Sequence, residues 1–289
     1  MIVMENKVYP TIKNSILLCL LYLGIIIGLS IIIVIIQELF NFSDDSIING
    51  IINILERIIV FGIVILVGFK KTKRNFNEVF KLNKVPAFLW IAIIVFMIGF
   101  VIVTSETDNL FNYILPKPET FRHTYDTLIN KQMFIIPIIS LGIIPPITEE
   151  LFFRGLILDG LKNNYSKRKA IIISALLFGI IHLNPWQAYG AFIMGLISAW
   201  ICIETNSILL SIYMHFFNNT LYTITLKYNE LIPIKGFNSN FVTPVIFQPL
   251  WFDLSGLAIL IIGTIMLIKG IKRLKQTGIQ VSDTKALPE

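Results

Sequence analysis

Long apolar runs dominate the chain from residue 14 to residue 268. Runs of about 20 apolar residues match the roughly 30 Å hydrocarbon core of a bilayer. Eight such runs are predicted to be membrane-spanning helices, at 14–37, 47–69, 87–104, 133–161, 169–183, 187–204, 207–226 and 250–268. The pattern therefore predicts an all-α fold, a polytopic transmembrane helical bundle of about eight spans.

Two adjacent prolines lie within the fourth and longest run. Pro145 and Pro146 come shortly before Glu149. Because proline lacks an amide hydrogen and clashes with the preceding turn, we expect a kink or a break there. Residues 1–269 are predicted to form a single transmembrane domain, and residues 270–289 a tail that is basic at first and then disordered.

Lysine and arginine concentrate in alternate connections between the runs. They are Lys70, Lys71, Lys73, Arg74, Lys81, Lys84, Lys162, Lys167, Arg168, Lys169, Lys269, Lys272, Arg273 and Lys275. Cytoplasmic loops carry the excess of these residues, so both termini are predicted to be cytoplasmic. The two long outer connections, 105–132 and 227–249, are interpreted as solvated connectors, with a cap over the outer side of the bundle as the alternative.

Composition and charge narrow the class of protein further. Hydrophobic residues make up 55% of the chain and charged residues 15%, with a mean hydropathy of +0.76, which excludes an ordinary soluble domain. The formal net charge of +6 comes from short loops, so no nucleic-acid partner is expected. Cys19 and Cys202 lie inside apolar runs, which excludes a disulfide framework or a CxxC metal motif. The many Ile, Asn and Lys residues are typical of proteins from AT-rich prokaryotes, so the predicted location is the cell membrane of a prokaryote.

Ionisable side chains inside the apolar runs are few, and each is costly in a bilayer. They are Glu56, Arg57, Glu149, Glu150, Arg154, His182 and His215, with Asn218 and Asn219 following the last. At 1.5 Å per residue, Glu149, His182 and Asn219 lie about 18–20 Å from the cytoplasmic ends of three runs, and His215 about 12 Å. Three helices thus bring polar groups to one layer. Glu56 and Arg57 match no motif and are interpreted as structural contacts.

Spacing within the helices separates the two adjacent glutamates. His215 and Asn219 are four residues apart and share one helix face. Glu150 and Arg154 have the same spacing, which favours an ion pair. Glu149 is rotated by about 100° from Glu150. One glutamate can therefore pair with Arg154 while its neighbour faces a cavity.

Three motifs on three runs resemble those of a known family. They are EExxxR at 149–154, FxxxH at 178–182 and HxxxN at 215–219. In order and spacing they resemble the CPBP intramembrane proteases, also called the Abi or CAAX-protease family, which includes the Ras-converting CAAX endopeptidases. The resemblance covers about residues 133–226, the predicted catalytic core, and the flanking runs match only in being hydrophobic.

The resemblance implies an intramembrane endopeptidase. The implied catalytic residues are Glu149, Glu150, Arg154, His182, His215 and Asn219. Glu149 would activate a water molecule, and His182 would orient that water or share its proton. His215 and Asn219 would stabilise the oxyanion of the tetrahedral intermediate. The Glu150–Arg154 pair would support these side chains.

The cofactor implied by the resemblance is a divalent metal such as zinc, because the family is usually labelled metalloprotease. Glu149, His182 and His215 could then be three ligands around an open position. The chain has no HExxH pair, however, so a metal-free glutamate mechanism stays open. It also has no GxSxG motif and no cysteine among its polar intramembrane positions, so covalent catalysis is not expected.

Two other function classes fit the same polar layer. Some relatives are associated with bacteriocin self-immunity, and such a protein could bind a peptide without cutting it. A transporter could use the layer as a proton or substrate site, but inverted repeats and paired broken helices would then be expected. The predicted partner of the protease is a membrane-embedded or membrane-associated protein or peptide, lipidated and CAAX-like ones included, or a tail near the cytoplasmic leaflet.

Overall fold

Helices provide the regular structure of the described chain, as expected where a bilayer requires every backbone group to be satisfied internally. The computed structural model describes residues 7–40, 47–125, 127, 129, 133–228, 231–238 and 244–276. Within these ranges there is no strand, which confirms the predicted all-α fold. The helices are α1 (Ile12–Phe40), α2 (Ile47–Thr72), α3 (Phe76–Phe80), α4 (Ala87–Ile114), α5 (Glu119–Tyr125), α6 (Ile135–Asn164), α7 (Lys167–Ile180), α8 (Pro185–Thr205), α9 (Leu209–Lys227) and α10 (Leu250–Gln276).

Six helices of the described chain are long and apolar enough to cross a membrane: α1, α2, α4, α6, α8 and α10. The polytopic membrane fold is confirmed, but the eight predicted spans are not matched. Helix α7 has 14 residues, about 21 Å at 1.5 Å per residue, which is shorter than the hydrocarbon core. Helix α9 has 19 residues, but polar side chains such as His215 and Asn219 interrupt its apolar surface.

Helix α6 continues through its two prolines, where a kink or break was expected. A π-helical stretch, Ile138–Ile143, comes just before them, and they lie in the first turn of the α-helical stretch Ile144–Glu150. In a first turn the missing amide hydrogens cost least. The carbonyl of Leu141 would ordinarily accept from residue 145 or 146. Because both are proline, that carbonyl has no helical donor.

Five basic side chains from the predicted cytoplasmic connections converge on two carboxylates, Asp159 and Glu204. The pairs are Arg74, Lys81 and Lys162 with Asp159, and Lys167 and Lys275 with Glu204. These connections therefore gather at one end of the bundle, which we call the basic end. That this end faces the cytoplasm stays a prediction of the charge pattern.

Close helix packing fixes the elements that surround the polar layer. A Cβ atom on Gly99 of α4 would lie 2.2 Å from the backbone nitrogen of Leu260 in α10, so only glycine permits this approach. A Cβ atom on Gly195 of α8 would lie 3.1 Å from the Cβ of Ala175 in α7. Helix α10 reaches Gln276, so residues 270–276 of the predicted tail are helical. Residues 277–289, predicted to be disordered, lie outside the described chain.

Candidate active site

A cavity of about 380 Å³ lies among α1, α2, α4, α6, α8 and α9, with the turn after α7 at its edge. Its polar lining includes Glu149, His182, His215, Asn218 and Asn219. The structure thus brings together the four residues that the depth estimates placed in one layer. Glu150 and Arg154 do not line the cavity. The catalytic roles of all six residues stay predictions at this point.

Glu149 presents a carboxylate oxygen that no described residue hydrogen-bonds. The side chain is buried, with 5% of its surface exposed, and its Oε2 lies 3.9 Å from Nε2 of His215. A buried polar atom without a partner is rare in native proteins and marks a site of strain or chemistry. Because the Glu149 side chain lines the cavity, its carboxylate can accept a proton there, as a general base must.

Glu150 points away from the cavity and holds two partners. Its Oε1 lies 3.1 Å from Nδ1 of His215, and its Oε2 lies 3.1 Å from Nε of Arg154. The contact with Arg154 is an ion pair without hydrogen-bond alignment. The pairing of Glu150 with Arg154 agrees with the i, i+4 spacing. Its contact with His215 was not foreseen, and it fixes the ring that faces Glu149.

Arg154 is enclosed on every side. The guanidinium lies over the ring of Phe178 at 4.4 Å, and Nη2 donates to the carbonyl of Gly195 at 3.4 Å. The side chain is 2% exposed. A guanidinium stacked on an aromatic ring and paired with a carboxylate is well suited to burial. Arg154 therefore compensates the charge of Glu150 without reaching the cavity.

His182 lies in the tight turn between α7 and α8, just after the end of α7. Leu183 has a positive φ of 55°, and the side chain of Asn184 caps α8 by accepting from the amide of Gln187 at 2.8 Å. Nδ1 of His182 lies 2.8 Å from the carbonyl of Phe178, so Nδ1 is the donor. In the neutral ring Nε2 is then the free acceptor.

Asn219 donates from Nδ2 to the carbonyl of Leu141 at 3.0 Å. This carbonyl is the one that Pro145 and Pro146 leave without a helical donor. The bond holds α9 against α6 beside the cavity. Of the two amide hydrogens of Asn219, one is therefore used structurally and one remains for the predicted oxyanion role.

The three residues proposed as metal ligands fit that role only in part. His182 and His215 each use Nδ1 for an acceptor and leave Nε2, which is the arrangement of metal-binding histidines. In the part of the chain that the structure describes, however, no group of three His, Cys, Asp or Glu residues is placed to hold a metal ion. We therefore derive no step through a metal.

Arg57 lines the cavity from α2, although it was interpreted from the sequence as a structural contact. Its neighbour Glu56 instead accepts a hydrogen bond from Ser30 at 2.6 Å, a structural contact as interpreted from the sequence. The presence of an arginine inside an apolar run could have indicated a functional position, since charged residues are costly in a bilayer.

Comparison with known proteins decides the family. A family model described as type II CAAX prenyl endopeptidase Rce1-like matches residues 131–221. The UPF0177 protein YxdF of Lactococcus lactis subsp. lactis (strain IL1403) is 30% identical over 128 residues, which are 42% of this chain and 71% of that protein. The chain belongs to the CPBP, or CAAX-protease, family. No solved structure matches.

The CAAX-protease family is a family of intramembrane proteases, and the six apolar helices of this member make it an integral membrane protein. The segment matched by the family model includes Glu149, Glu150, Arg154, His182, His215 and Asn219. The same segment forms α6 to α9 and most of the polar wall of the cavity. Of these six residues, Glu149, His182, His215 and Asn219 line the cavity.

Proposed function

We propose that this CAAX-protease family member is an intramembrane endopeptidase in which Glu149 activates water. The observation that carries the proposal is the buried carboxylate of Glu149 in the cavity lining, with one oxygen that no described residue hydrogen-bonds and that lies 3.9 Å from a histidine held by Glu150. A base with an unpaired oxygen next to a fixed ring is the arrangement that general-base hydrolysis requires. The proposed substrate is a membrane-embedded or membrane-associated protein or peptide.

The proposed reaction needs only side chains of this chain and one water molecule. Glu149 takes a proton from the water, whose oxygen attacks the peptide carbonyl carbon. Nε2 of His182 orients the water. The second amide hydrogen of Asn219 stabilises the oxyanion, as does His215 when its ring carries a proton on Nε2 as well as on Nδ1. The C–N bond then breaks, and the proton held by Glu149 passes to the leaving amine nitrogen. Low polarity around the cavity strengthens each of these interactions.

The substrate would be identified by comparing membrane peptides from cells that carry the wild type and Glu149→Gln. A cleavage product that is present only with the wild type supports proteolysis and names the substrate. Equal peptide sets together with full biological effect of the variant would instead favour a peptide-binding protein, such as one for bacteriocin self-immunity. The result also decides whether the substrate is lipidated or CAAX-like.

Removal of divalent metal is expected to leave hydrolysis intact. The reason is that Glu149, His182 and His215 are not placed as a three-ligand group. We therefore expect a strong chelator to leave the rate of product formation unchanged and purified protein to contain well below one zinc per chain. The alternative proposal, a zinc ion on these three residues, predicts one zinc per chain that is lost in His182→Ala, together with loss of hydrolysis on chelation.

Arg57→Gln is expected to weaken substrate binding. Arg57 supplies a positive charge on the cavity wall that can bind peptide carbonyls or a carboxylate. Hydrogen bonds to charged groups contribute about 1.5–3 kcal/mol, so kcat/KM should fall roughly 10- to 100-fold, mainly through KM. Steady-state kinetics on the identified peptide measure this change. Arg57→Lys keeps the charge and should recover most of the loss, whereas equal kinetics for all three proteins would remove Arg57 from substrate binding.

A further inference from the structure

The cavity reaches the surface at the end of the bundle opposite the basic end. Its lining extends from Glu149 to Asp108, Lys117 and Phe121 on one side and to Trp186 and Gln187 on the other, and Gln187 is exposed. We call these five outer residues the mouth. No residue of 70–86, 162–169 or 269–276 lines the cavity, and all three segments belong to the described chain. The basic connections therefore contribute nothing to it.

The basic end is closed by close packing. Below Glu149 in α6, Phe152 and Phe153 have no exposed surface. Helix α3 places Phe80 against Gly155, where a Cβ atom would lie 2.5 Å from the Phe80 ring. Beyond this layer the ion pairs of Asp159 with Arg74 and Lys81 hold α3 to α6. A peptide could reach Glu149 from this side only by displacing packed aromatic residues and buried ion pairs.

The mouth has the chemical character of a peptide-binding rim. Asp108 and Lys117 form an ion pair at 3.0 Å. Trp186 donates from Nε1 to the carbonyl of Leu115 at 2.8 Å, and the ring of Phe121 lies 4.9 Å from the ring of Trp186. Aromatic rings with a polar edge are typical of the membrane–water interface. Charged and aromatic groups side by side can contact both the backbone and the apolar side chains of a peptide.

The charge distribution predicts which side of the membrane the mouth faces. Lys and Arg are enriched in cytoplasmic loops, and here they gather at the closed end. The open end then faces the outside of the cell. Resting on the proposed proteolysis, we infer that substrate reaches Glu149 from the extracytoplasmic side, through the mouth. The substrate class is an exported peptide or a protein segment at the outer leaflet. Of the substrates expected from the sequence, this retains the membrane-associated peptide and replaces the tail near the cytoplasmic leaflet.

Thiol labelling tests the access route without requiring a known substrate. Ala191→Cys places a thiol on the cavity wall, Leu231→Cys an exposed thiol in the outer connection, and Lys71→Cys an exposed thiol at the basic end. Both native cysteines are buried, which leaves them poorly reactive. The probe is a small, membrane-impermeant cationic methanethiosulfonate, applied to intact spheroplasts and to inverted vesicles of the full-length protein.

Ala191→Cys and Leu231→Cys are expected to react about tenfold faster in spheroplasts than in inverted vesicles. Lys71→Cys is expected to show the opposite preference, because labelling follows exposure of the thiol to the reagent. Reaction of Ala191→Cys from the same side as Lys71→Cys would overturn the inference, as would no reaction from either side. Reversed labelling of the two exposed controls would overturn the assigned orientation and the inference with it.

A second measurement connects the route to cleavage. Gln187→Cys carries a thiol in the mouth, and a bulky impermeant maleimide added to spheroplasts should lower its yield of cleavage product relative to the same variant without the reagent. The same reagent on Leu231→Cys should leave the product unchanged. Product that persists after modification at position 187 would overturn the access route while leaving proteolysis in place. Absence of any product from the wild-type protein would instead refute the proposed function, and the labelling result would still stand.

Discussion

Glu149→Gln is expected to lower the rate of peptide hydrolysis by roughly 10²–10⁴-fold, the range typical for loss of a general base. Glutamine has nearly the same shape as glutamate but cannot take a proton from water. The Oε2 atom that it alters is the one that no described residue hydrogen-bonds. The substitution should therefore change the chemistry with little effect on packing. Single-turnover cleavage of the identified peptide by reconstituted protein measures the loss.

Glu56→Gln is the matched control for the first prediction. Glu56 is also a glutamate in an apolar helix, but its carboxylate accepts from Ser30 and does not line the cavity. This variant should hydrolyse the peptide at nearly the wild-type rate. Equal melting temperatures for wild type and both variants would show that the fold is kept. Hydrolysis by Glu149→Gln at the wild-type rate would contradict Glu149 as the base.

The second large expected effect is on the free energy of unfolding, and it follows from replacing Arg154. Arg154→Met is expected to destabilise the protein by about 3–5 kcal/mol, because it leaves the carboxylate of Glu150 buried without its cation. Glu150 has no exposed surface and no other cationic partner in the described chain apart from a protonated His215. Denaturant-induced loss of helical signal in detergent micelles measures the change in the free energy of unfolding.

Two further variants separate lost pairing from lost packing. Glu150→Gln combined with Arg154→Met removes both charges, and the amide oxygen of the introduced glutamine can still accept from His215. The double variant should recover most of the lost stability, since removing both partners of a buried pair is often close to neutral. Arg168→Met, a change at an exposed arginine, should stay within about 0.5 kcal/mol of wild type. A double variant no more stable than Arg154→Met would show that packing on Phe178 dominates.

The convergence of the polar layer could be predicted from the sequence because helix geometry turns residue number into depth and angle. The 1.5 Å rise put Glu149, His182 and Asn219 at similar depths. The rotation of about 100° between adjacent residues distinguished Glu149, which lines the cavity, from Glu150, which pairs with Arg154. Both inferences depend only on each helix by itself, and the structure agrees with both.

Contacts between helices could not be predicted in the same way. The spacing within α9 shows which face His215 shares with Asn219, but not which carboxylate of α6 its ring will meet. The bond from His215 to Glu150 depends on the approach and rotation of two helices. Arg57 was missed for the same reason, since its own helix gives no sign that α2 borders the cavity.

Six of the eight predicted spans coincide with helices that are long and apolar enough to cross a membrane, and the other two, α7 and α9, differ from an isolated span for physical reasons. Helix α7 is apolar, but it is short and packs closely on α8 through Gly195 and Ala175. Helix α9 carries the polar residues of the site and is enclosed by its neighbours. Helices that contact protein on most sides need not satisfy the length and composition rules of an isolated span.

Through the hydrogen bond from Asn219 to the carbonyl of Leu141, the two prolines of α6 affect the position of α9. Pro145 and Pro146 act by withholding a donor, and the acceptor that they expose is satisfied by another segment 78 residues away in the sequence. Positions 145, 146 and 219 are therefore coupled through one backbone acceptor. If residues 145 and 146 carried amide hydrogens, the carbonyl of Leu141 would be satisfied within its own helix, and the bond to Asn219 would no longer be needed for that purpose. Divergence at these three positions should occur together.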